Sequence, residues 1–303
     1  MATAVVVTHA RRALATSTVR MLLEEGFAPR DIVLVINGEG GLTDAGLEAS
    51  IDTVRLAGNT GPAGGFRSGL ERSLSDHDHP WIYLCEDDVC LVDLPRPVVR
   101  TSLDRVARFE EEQPAALRVG AVAAYGRCLD SRSGQTRPYE PSPGGDLLEL
   151  VDCAAWGATL VRREAVAAGL RPDPDLFFGF EDFDFFLSFP SNGYGLYVDA
   201  DLARAAATQV TPAGRAERFR GVRPTDAEED WRHYYLARNF IALSRRHGRR
   251  RWLVVHLLRS FRRWQQASLR PSVGRAIVRG WSDGLRGRLG ANARYLRHVE
   301  EEV

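Results

Sequence analysis

The sequence of 303 residues contains no lysine: all 40 of its basic residues are arginine. This absence excludes catalysis through a lysine Schiff base and the lysine of a nucleotide-binding P-loop. The four cysteines show neither a C-x-x-C pair nor zinc-finger spacing, which predicts a reduced, cytoplasmic protein. No stretch approaches the length of a membrane-spanning helix, and the opening MATAVVV lacks the basic leader of a signal peptide.

The net charge of zero conceals an uneven distribution along the chain. Residues 1–237 carry 24 Arg and 36 acidic residues, whereas residues 238–303 carry 16 Arg and 4 acidic residues. The basic tail favours contact with a phosphate-rich partner or an anionic membrane surface, or packing against its own acidic body. Its segment RRRWLVVHLLRSFRRWQQ predicts a basic amphipathic helix, suited to the inner face of the membrane, a second subunit in a homodimer or its own domain. No recognised nucleic-acid-binding motif is present, and we expect no nucleic-acid partner.

Strand and helix patterns alternate along the first two hundred residues. The apolar runs ATAVVVT, DIVLVIN, IDTVRL and PWIYLC are typical of strands, and ALATSTVRMLLEEGF and AGGFRSGLERSL are typical of helices. This alternation predicts an α/β fold with a mostly parallel sheet in residues 1–205, followed by a basic, mainly helical extension in residues 206–303. LRVGAVAAYGRCL is expected to form one further strand, and residues 130–146 a loop that acts as a lid.

Polar residues follow the predicted strands at the edge where parallel sheets bind ligands: Thr8, Asn37, Asn59 and Glu86–Asp88. If the strand continues through the acidic cluster, Glu86 and Asp88 share one face while Asp87 points away. Such a pair suits Mg²⁺ or Mn²⁺, which bind one or two carboxylates together with substrate phosphates. The alternative is a solvated acidic turn with arginine partners.

Two further segments contain residues suited to binding and catalysis. NTGPAGGFRSGL, residues 59–70, places three glycines before a helix N-terminus, where backbone amides can approach an anion. FFGFEDFDFFLS, residues 177–188, embeds Glu181, Asp182 and Asp184 among six phenylalanines. Apolar surroundings raise the pKa of a carboxylate, which suits a general base. The same acidic residues fit the first turn of an amphipathic helix equally well.

Together these segments resemble the family 2 glycosyltransferases of the GT-A fold, in particular the rhamnosyl- and galactofuranosyl-transferase-like branch. VVVTHARR resembles the opening strand of that family, NTGPAGGFRSGL its donor loop and LCEDDV its metal-binding Asp-x-Asp. WGATLVRREAVAAGL and FFGFEDFDFF resemble the acceptor and catalytic segments, and HYYLARNFIAL and GWSDGLRGRLG resemble C-terminal elements. Three departures are Glu86 for the first Asp of the metal motif, Ile36 for a frequent Asp, and ATQVTP where a histidine is common.

The resemblance implies an inverting enzyme that moves a sugar from a nucleoside-diphosphate donor to a hydroxyl of a glycan, lipid-linked or small-molecule acceptor. It implies that Asp88 and Glu86 hold Mg²⁺ or Mn²⁺, and that Asp182 is the general base, with Glu181 and Asp184 as the other candidate catalytic carboxylates. Trp156 would stack on the acceptor, with Gly157 beside it. The implied donor-binding residues are Thr8, Arg11, Asn37, Asn59, Gly64, Gly65, Arg67 and Asp87.

Two alternative functions remain open. A sugar nucleotidyltransferase can share a similar sheet, but VVVTHARRALAT lacks the glycine-rich loop with which such enzymes open. A non-catalytic nucleotide-sugar-binding or scaffold protein is favoured by Glu86 and by the missing histidine. The retained Asp88 and Asp182 argue against it.

Overall fold

The computed structural model describes residues 1–88, 97–141, 148–209, 230–248 and 250–295. The strands in these ranges are β1 (Ala2–Thr8), β2 (Ile32–Asn37), β3 (Asp52–Leu56), β4 (Trp81–Glu86), β5 (Arg118–Ala123), β6 (Gly126–Asp130), β7 (Gln135–Pro138), β8 (Leu148–Leu150), β9 (Cys153–Ala154), β10 (Thr159–Arg162) and β11 (Tyr194–Asp199). The α-helices are α1 (Arg12–Glu24), α2 (Ala45–Ser50), α3 (Gly61–Asp76), α4 (Val98–Glu112), α5 (Arg163–Ala167), α6 (Glu181–Leu187), α7 (Ala200–Gln209), α8 (Asp230–Arg246), α9 (Arg250–Gln266) and α10 (Pro271–Arg286). Short 3₁₀ turns cover Pro29–Asp31, Pro174–Leu176 and Pro190–Asn192.

A central sheet of eight strands has the order β3-β2-β1-β4-β10-β5-β11-β8. Strands β1 to β4 are parallel to one another, and β11 is parallel to β5. β10 runs antiparallel between β4 and β5, and β8 runs antiparallel to β11. The predicted α/β fold, with a mostly parallel sheet flanked by helices and a helical C-terminal region, is therefore confirmed.

The middle strands of the sheet are buried on both faces because their sequences are apolar without interruption. In β1, Ala4 and Val6 face one core layer, whereas Val5 and Val7 face a second layer on the other side of the sheet. α1 covers the first layer with Val19 and Leu22, and α3 covers the second with Phe66 and Leu70. The helices thus fix the orientation of the strand ends at which the candidate site lies.

The segment LRVGAVAAYGRCL forms two strands rather than the single strand predicted. β5 joins the central sheet, but the chain bends at residues 124–125 and β6 pairs antiparallel with β7 and β9 in a second sheet. The predicted loop 130–146 is in its first part the β6–β7 hairpin, while residues 142–147 lie outside the described ranges. The hairpin is attached to α9, since Trp252 Nε1 donates to the Ser131 carbonyl at 3.0 Å.

The C-terminal helices pack on one another and on the end of the sheet where the site lies. α10 lies close against α8, because Gly280 and Gly284 leave room for the carbonyl groups of Tyr234 and Arg238. α9 buries Trp252, His256 and Ser260 and leaves a row of apolar side chains at its surface: Val254, Leu257, Leu258 and Phe261. Within the described ranges, no helix is both long enough and apolar enough to cross a membrane.

Candidate active site

A cavity of about 280 Å³ opens at the carboxyl ends of β1, β2 and β4, and we call it the strand-end cavity. The edge of a parallel sheet brings these strand ends together although they are far apart in the sequence. Its lining residues are Val7, Thr8, His9, Arg11, Asn37, Asn59, Gly61, Pro62, Phe66, Glu86, Phe177, Phe178, Trp231 and Arg232. Four of the eight predicted donor-binding residues therefore share one cavity with Glu86: Thr8, Arg11, Asn37 and Asn59.

The acidic cluster lies where β4 ends, and its three carboxylates have different surroundings. Asp87 is fully buried, accepts a hydrogen bond from Thr8 Oγ1 at 2.7 Å and pairs with Arg11 at 2.5 Å. Asp88 is exposed and pairs with the same guanidinium at 2.7 Å. The alternation expected of a strand does not reach these residues, because β4 ends at Glu86 and the next two residues form a turn. Arg11 therefore bridges Asp87 and Asp88.

Glu86 is the carboxylate of this cluster without an arginine partner among the described residues. Burial and the negative charges of Asp88 and Asp182 raise the pKa of Glu86 to about 8. Burial also raises the pKa of Asp87 to about 6, although Arg11 and Thr8 act in the opposite direction. Near neutral pH the cluster therefore contains the positive charge of Arg11 and one proton, on Glu86. A divalent cation that binds to Glu86 and Asp88 would replace this proton.

The donor set Glu86 and Asp88 fits a hard divalent cation, because two repelling carboxylates next to a cavity are what Mg²⁺ or Mn²⁺ binds together with phosphates. Asp87 is already bound by Thr8 and Arg11. In the described part of the chain, no group of three or more His, Cys, Asp or Glu side chains is arranged as an all-protein metal site. A cation here would therefore depend on ligand oxygens for most of its coordination.

Asn37 holds the glycine-rich segment that begins α3. Its side-chain oxygen accepts hydrogen bonds from the amide and hydroxyl groups of Thr60, both at 2.8 Å, and its amide donates to the Gly61 carbonyl at 2.9 Å. Asn59 adds a bond from the Gly61 amide to its own side-chain oxygen at 2.9 Å. The N-terminus of α3, where backbone amides attract anions, is thereby fixed at the strand-end cavity.

Three predicted donor-binding residues of this segment do not line the strand-end cavity. Gly64 and Gly65 let α3 pack closely, because a side chain there would collide with Thr60 and with Val7. Arg67 lies on the outer side of α3 and pairs with Glu71 at 3.0 Å. The donor-binding roles of these three residues stay predictions, and the residues of the same segment that line the cavity are Asn59, Gly61 and Pro62.

Alanine in place of Gly61 is expected to destabilise the fold by about 1–3 kcal/mol, the usual cost of a strained backbone. Gly61 has a φ of +72°, and a β-carbon there would collide with the Phe177 carbonyl oxygen. Gly58→Ala is the matched control, because nothing lies within 4 Å of its β-carbon position. Thermal unfolding of both variants checks this: equal melting temperatures would contradict the close contact between α3 and Phe177.

A second cavity of about 400 Å³ adjoins the first, and we call it the Asp182 cavity. The two cavities share Phe178 and Arg232. Its other lining residues are Tyr125, Arg127, Gly134, Thr136, Ala155, Gly179, Phe180, Glu181, Asp182, Phe183, Leu236, Phe240, His256, Arg259 and Arg263. The combined volume of the two cavities is in the range of small-molecule sites in proteins.

The three candidate catalytic carboxylates at the start of α6 are clearly different. Asp182 lines the Asp182 cavity, and burial raises its pKa to about 6, although a hydrogen bond from the Phe183 amide acts in the opposite direction. Glu181 is buried against the Trp156 indole N–H, and burial together with the charge of Asp182 raises its pKa well above the ordinary range. Asp184 does not line the cavity and is held by Arg246 at 2.7 Å. Glu181 and Asp182 both line the cavity, and Asp182 is the less buried of the two and has a pKa near neutrality.

Trp156, predicted to stack on an acceptor sugar, is part of the core and only 2% exposed. Phe66 stacks on its ring at 4.7 Å, and Phe185 packs against it at 5.4 Å. Gly157 is buried as well and does not line the Asp182 cavity. The predicted acceptor role of both residues is corrected, because no ring face is left for a ligand; Ala155 lines the cavity instead.

The turn that carries Asp182 is strained and is held from α8. Phe177 and Phe180 have φ values of +54° and +68°, which residues other than glycine rarely adopt. Asn239 is fully buried, and its side-chain amide donates to the carbonyls of Phe178 at 2.8 Å and Gly179 at 2.9 Å, and also to that of Leu176. Sequence reasoning missed this residue, although HYYLARNFIAL was recognised as one segment.

The other residues that sequence reasoning missed come from the second sheet and from the C-terminal helices. Arg127 lies on β6, and Trp231 and Arg232 lie in the first turn of α8. His256, Arg259 and Arg263 have the i, i+3, i+7 spacing of one helix face. This spacing was the one signal available, and it marks a polar helix face that lines the Asp182 cavity, with His256 buried and Arg259 exposed.

No protein-family model matches this chain, and no curated protein sequence matches it. Among solved structures, it is similar to GalNAc-T7 with UDP, GalNAc and Mn²⁺, at 13% identity and a TM-score of 0.44. That alignment covers 66% of this chain and 43% of the other, so the chain spans less than half of that protein. It is also similar to the mannosyltransferase PcManGT from Pyrobaculum calidifontis in complex with GDP-Man and Mn²⁺, at 13% identity and a TM-score of 0.40, over 99% of this chain and 79% of the other.

Proposed function

We propose that this chain is an inverting glycosyltransferase of the GT-A type, which transfers a sugar from a nucleoside diphosphate to an acceptor hydroxyl. One observation carries the proposal: a cavity with a helix N-terminus and the carboxylate of Glu86 adjoins a cavity with a carboxylate of near-neutral pKa, that of Asp182. Asp182 is close enough to Glu86 for its negative charge to raise the pKa of Glu86. A donor and an acceptor can thus meet between them.

In this proposal the strand-end cavity binds the donor. The N-terminus of α3, held by Asn37, directs the positive end of its helix dipole towards the diphosphate, and Arg11 provides a positive charge at the rim. Glu86 and Asp88 would hold Mg²⁺ or Mn²⁺, which supplies charge neutralisation for the departing diphosphate when bound. Thr8 and Arg11 hold the side chain of Asp87 in place. Asp87 thereby fixes the turn that positions its neighbours Glu86 and Asp88.

Asp182 is the general base of the proposed reaction. Its carboxylate takes the proton of the acceptor hydroxyl as that oxygen attacks the anomeric carbon from the face opposite the diphosphate. Arg127 lies near enough to favour the charged form of Asp182. Burial raises the pKa of Glu181 well above its ordinary range, which favours its neutral form, and Asp184 is paired with Arg246 outside the cavity, so Asp182 is the best placed of the three for this role.

The remaining assignments follow from this proposal. Residues 1–205 are the proposed catalytic domain and residues 206–303 the proposed extension, in which α8 lines both cavities and α9 lines the Asp182 cavity. A cytoplasmic location, a homodimer and peripheral membrane contact through the exposed apolar side chains of α9 stay predictions. The sugar class and the rhamnosyl- or galactofuranosyl-transferase-like branch stay predictions as well.

A metal-dependent gain in thermal stability tests the donor site. UDP or GDP with Mn²⁺ is expected to raise the melting temperature, since a ligand at a hundred times its Kd adds about 2.7 kcal/mol. Asp88→Ala should lose the Mn²⁺-dependent part of this gain, whereas Asp78→Ala, which removes a fully exposed carboxylate elsewhere, should keep it. An unchanged Mn²⁺ effect in Asp88→Ala would rule out the metal role of Asp88.

A non-catalytic nucleotide-sugar-binding protein is the second candidate, because Arg11 already pairs with two carboxylates of the acidic cluster. A panel of UDP-, dTDP- and GDP-sugars separates the two candidates. Release of a nucleoside diphosphate, lost in Asp88→Ala, supports the enzyme. Stabilisation by a nucleotide sugar without any release or transfer supports the binding protein.

A further inference from the structure

The Asp182 cavity contains an unusual concentration of positive charge. Arg259 and Arg263 lie four residues apart on α9, with His256 on the same helix face. Arg127 on β6 and Arg232 on α8 add two further guanidinium groups to the lining. The carboxylates of the lining are Glu181 and Asp182, and burial together with the charge of Asp182 raises the pKa of Glu181 well above its ordinary range. Four arginines therefore face a cavity that holds two carboxylates.

Arg259 and Arg263 have no acidic partner within 4 Å among the described residues. Arg259 is exposed and Arg263 is partly buried. The lack of an acidic partner distinguishes Arg263 from the partly buried arginines that form ion pairs: Arg105 with Asp199 and Asp201, Arg162 with Glu110, and Arg246 with Asp173 and Asp184. Burial and the charge of Arg259 lower the pKa of Arg263 to about 10. Both arginines also keep His256 neutral, since burial and their charges lower its pKa to about 3. Like charges without a counterion in a cavity destabilise the fold, and an anionic ligand would relieve this.

The arginine pair and Asp182 are supplied to the cavity by different elements. Arg259 and Arg263 lie on α9, whereas Asp182 lies in the first turn of α6. A ligand that spans the cavity would therefore have a neutral, hydroxyl-bearing end near Asp182 and an anionic end near Arg259 and Arg263. Two guanidinium groups match the two charges of a phosphate better than the single charge of a carboxylate.

We infer that the acceptor carries a phosphate or diphosphate group, which Arg259 and Arg263 bind while the acceptor hydroxyl faces Asp182. This inference rests on the proposed function, because it identifies the Asp182 cavity as the acceptor site. The phosphate belongs either to a soluble ester or to a lipid headgroup. The exposed apolar row of α9, on the same helix as the arginine pair, makes the second source testable.

Calorimetric titration with inorganic pyrophosphate, in the absence of divalent metal, tests the inference on the full chain. Arg259→Gln/Arg263→Gln is expected to weaken binding by about tenfold to a hundredfold, the usual worth of a charge-assisted hydrogen bond. Arg251→Gln/Arg262→Gln is the matched control, because both residues lie on α9 and neither lines the cavity. Equal affinity in Arg259→Gln/Arg263→Gln and in the unsubstituted chain, or no binding to the unsubstituted chain, would overturn the inference.

Two further measurements make the result specific. The melting temperature of Arg259→Gln/Arg263→Gln should equal or exceed that of the unsubstituted chain, since repulsion between like charges is removed, and this confirms that the variant folds. Binding of nucleoside diphosphate with Mn²⁺ should persist in this variant. If the unsubstituted chain does not bind nucleoside diphosphate with Mn²⁺, the proposed function is contradicted. The pyrophosphate titration would still test the arginine pair in that case.

A comparison of inorganic phosphate with octyl phosphate identifies the source of the anion. Tighter binding of octyl phosphate indicates a lipid headgroup, and equal affinity indicates a soluble ester. Both results support the inference when the affinity falls in Arg259→Gln/Arg263→Gln. Binding of octyl phosphate that is insensitive to this double substitution would contradict it.

Discussion

Asparagine in place of Asp182 is expected to slow sugar transfer by about 10²–10⁴-fold, the usual worth of a general base. The substitution keeps the shape of the side chain and the oxygen that accepts from the Phe183 amide at 2.8 Å. It removes only the ability to accept the acceptor's proton. Donor binding should stay unchanged, because Asp182 does not line the strand-end cavity. Turnover and nucleotide binding measured on the same preparation check both halves of this prediction.

The pH dependence of the reaction gives the same assignment an independent test. Burial raises the pKa of Asp182 to about 6, and the base acts in its ionised form. The value of kcat/KM should therefore be constant above this pH and fall tenfold per unit below it. If kcat/KM instead begins to fall only near pH 4, the base is a solvated carboxylate, which would argue against Asp182. The limb near pH 6 should be absent from the residual activity of Asp182→Asn.

Glu181→Gln is the matched control for Asp182→Asn. Burial and the charge of Asp182 raise the pKa of Glu181 well above its ordinary range, which favours the neutral acid, and the amide of glutamine has the same size as that acid. We expect a much smaller loss of rate than in Asp182→Asn and an acid limb that remains near pH 6. The reverse pattern, with Glu181→Gln inactive and Asp182→Asn active, would identify Glu181 as the general base instead of Asp182.

The fold could be predicted where the sequence of a single strand or helix is enough to identify that element. β1, β2 and β4 are continuous apolar runs, and α1 and α3 repeat apolar residues at helical spacing, so each was recognisable in isolation. The direction of β10 was not, because a strand's sequence does not record whether its neighbours are parallel. The bend between β5 and β6 was missed for a similar reason: both halves of the segment are apolar, and only pairing with different sheets separates them.

The candidate site shows the same division between local and distant information. Thr8, Asn37 and Glu86 were found because the end of a strand is a local feature. Composition could not separate Asp182 from Asp184, yet two positions on a helix differ by about 200°, so one faces the cavity while the other meets Arg246 on α8. The arginine pair of α9 was missed because it reaches the cavity only through tertiary packing. Trp156 was misplaced because an aromatic side chain fits a core and a sugar site equally well.

Leucine in place of Asn239 is expected to have the second largest effect, because this side chain holds the strained turn from a distance. Asn239 donates to the carbonyls of Leu176, Phe178 and Gly179 and accepts from Arg238 Nε at 2.8 Å. Leucine has a similar size but cannot donate, so buried carbonyls lose their partner at about 1–3 kcal/mol each. We expect the free energy of unfolding to fall by about 2–5 kcal/mol, because part of the turn can rearrange.

The same substitution should reduce turnover by about 10²-fold even where the protein is folded, since a displacement of about 1 Å at a reacting group has that effect. Ser244→Ala is the matched control: Ser244 is buried on the same helix, but its hydroxyl bonds only the Phe240 carbonyl of that helix. Assays well below both melting temperatures separate the loss of position from the loss of stability. If Asn239→Leu retained full turnover under these conditions, the geometry of Asp182 would be set by α6 and its phenylalanines rather than by α8.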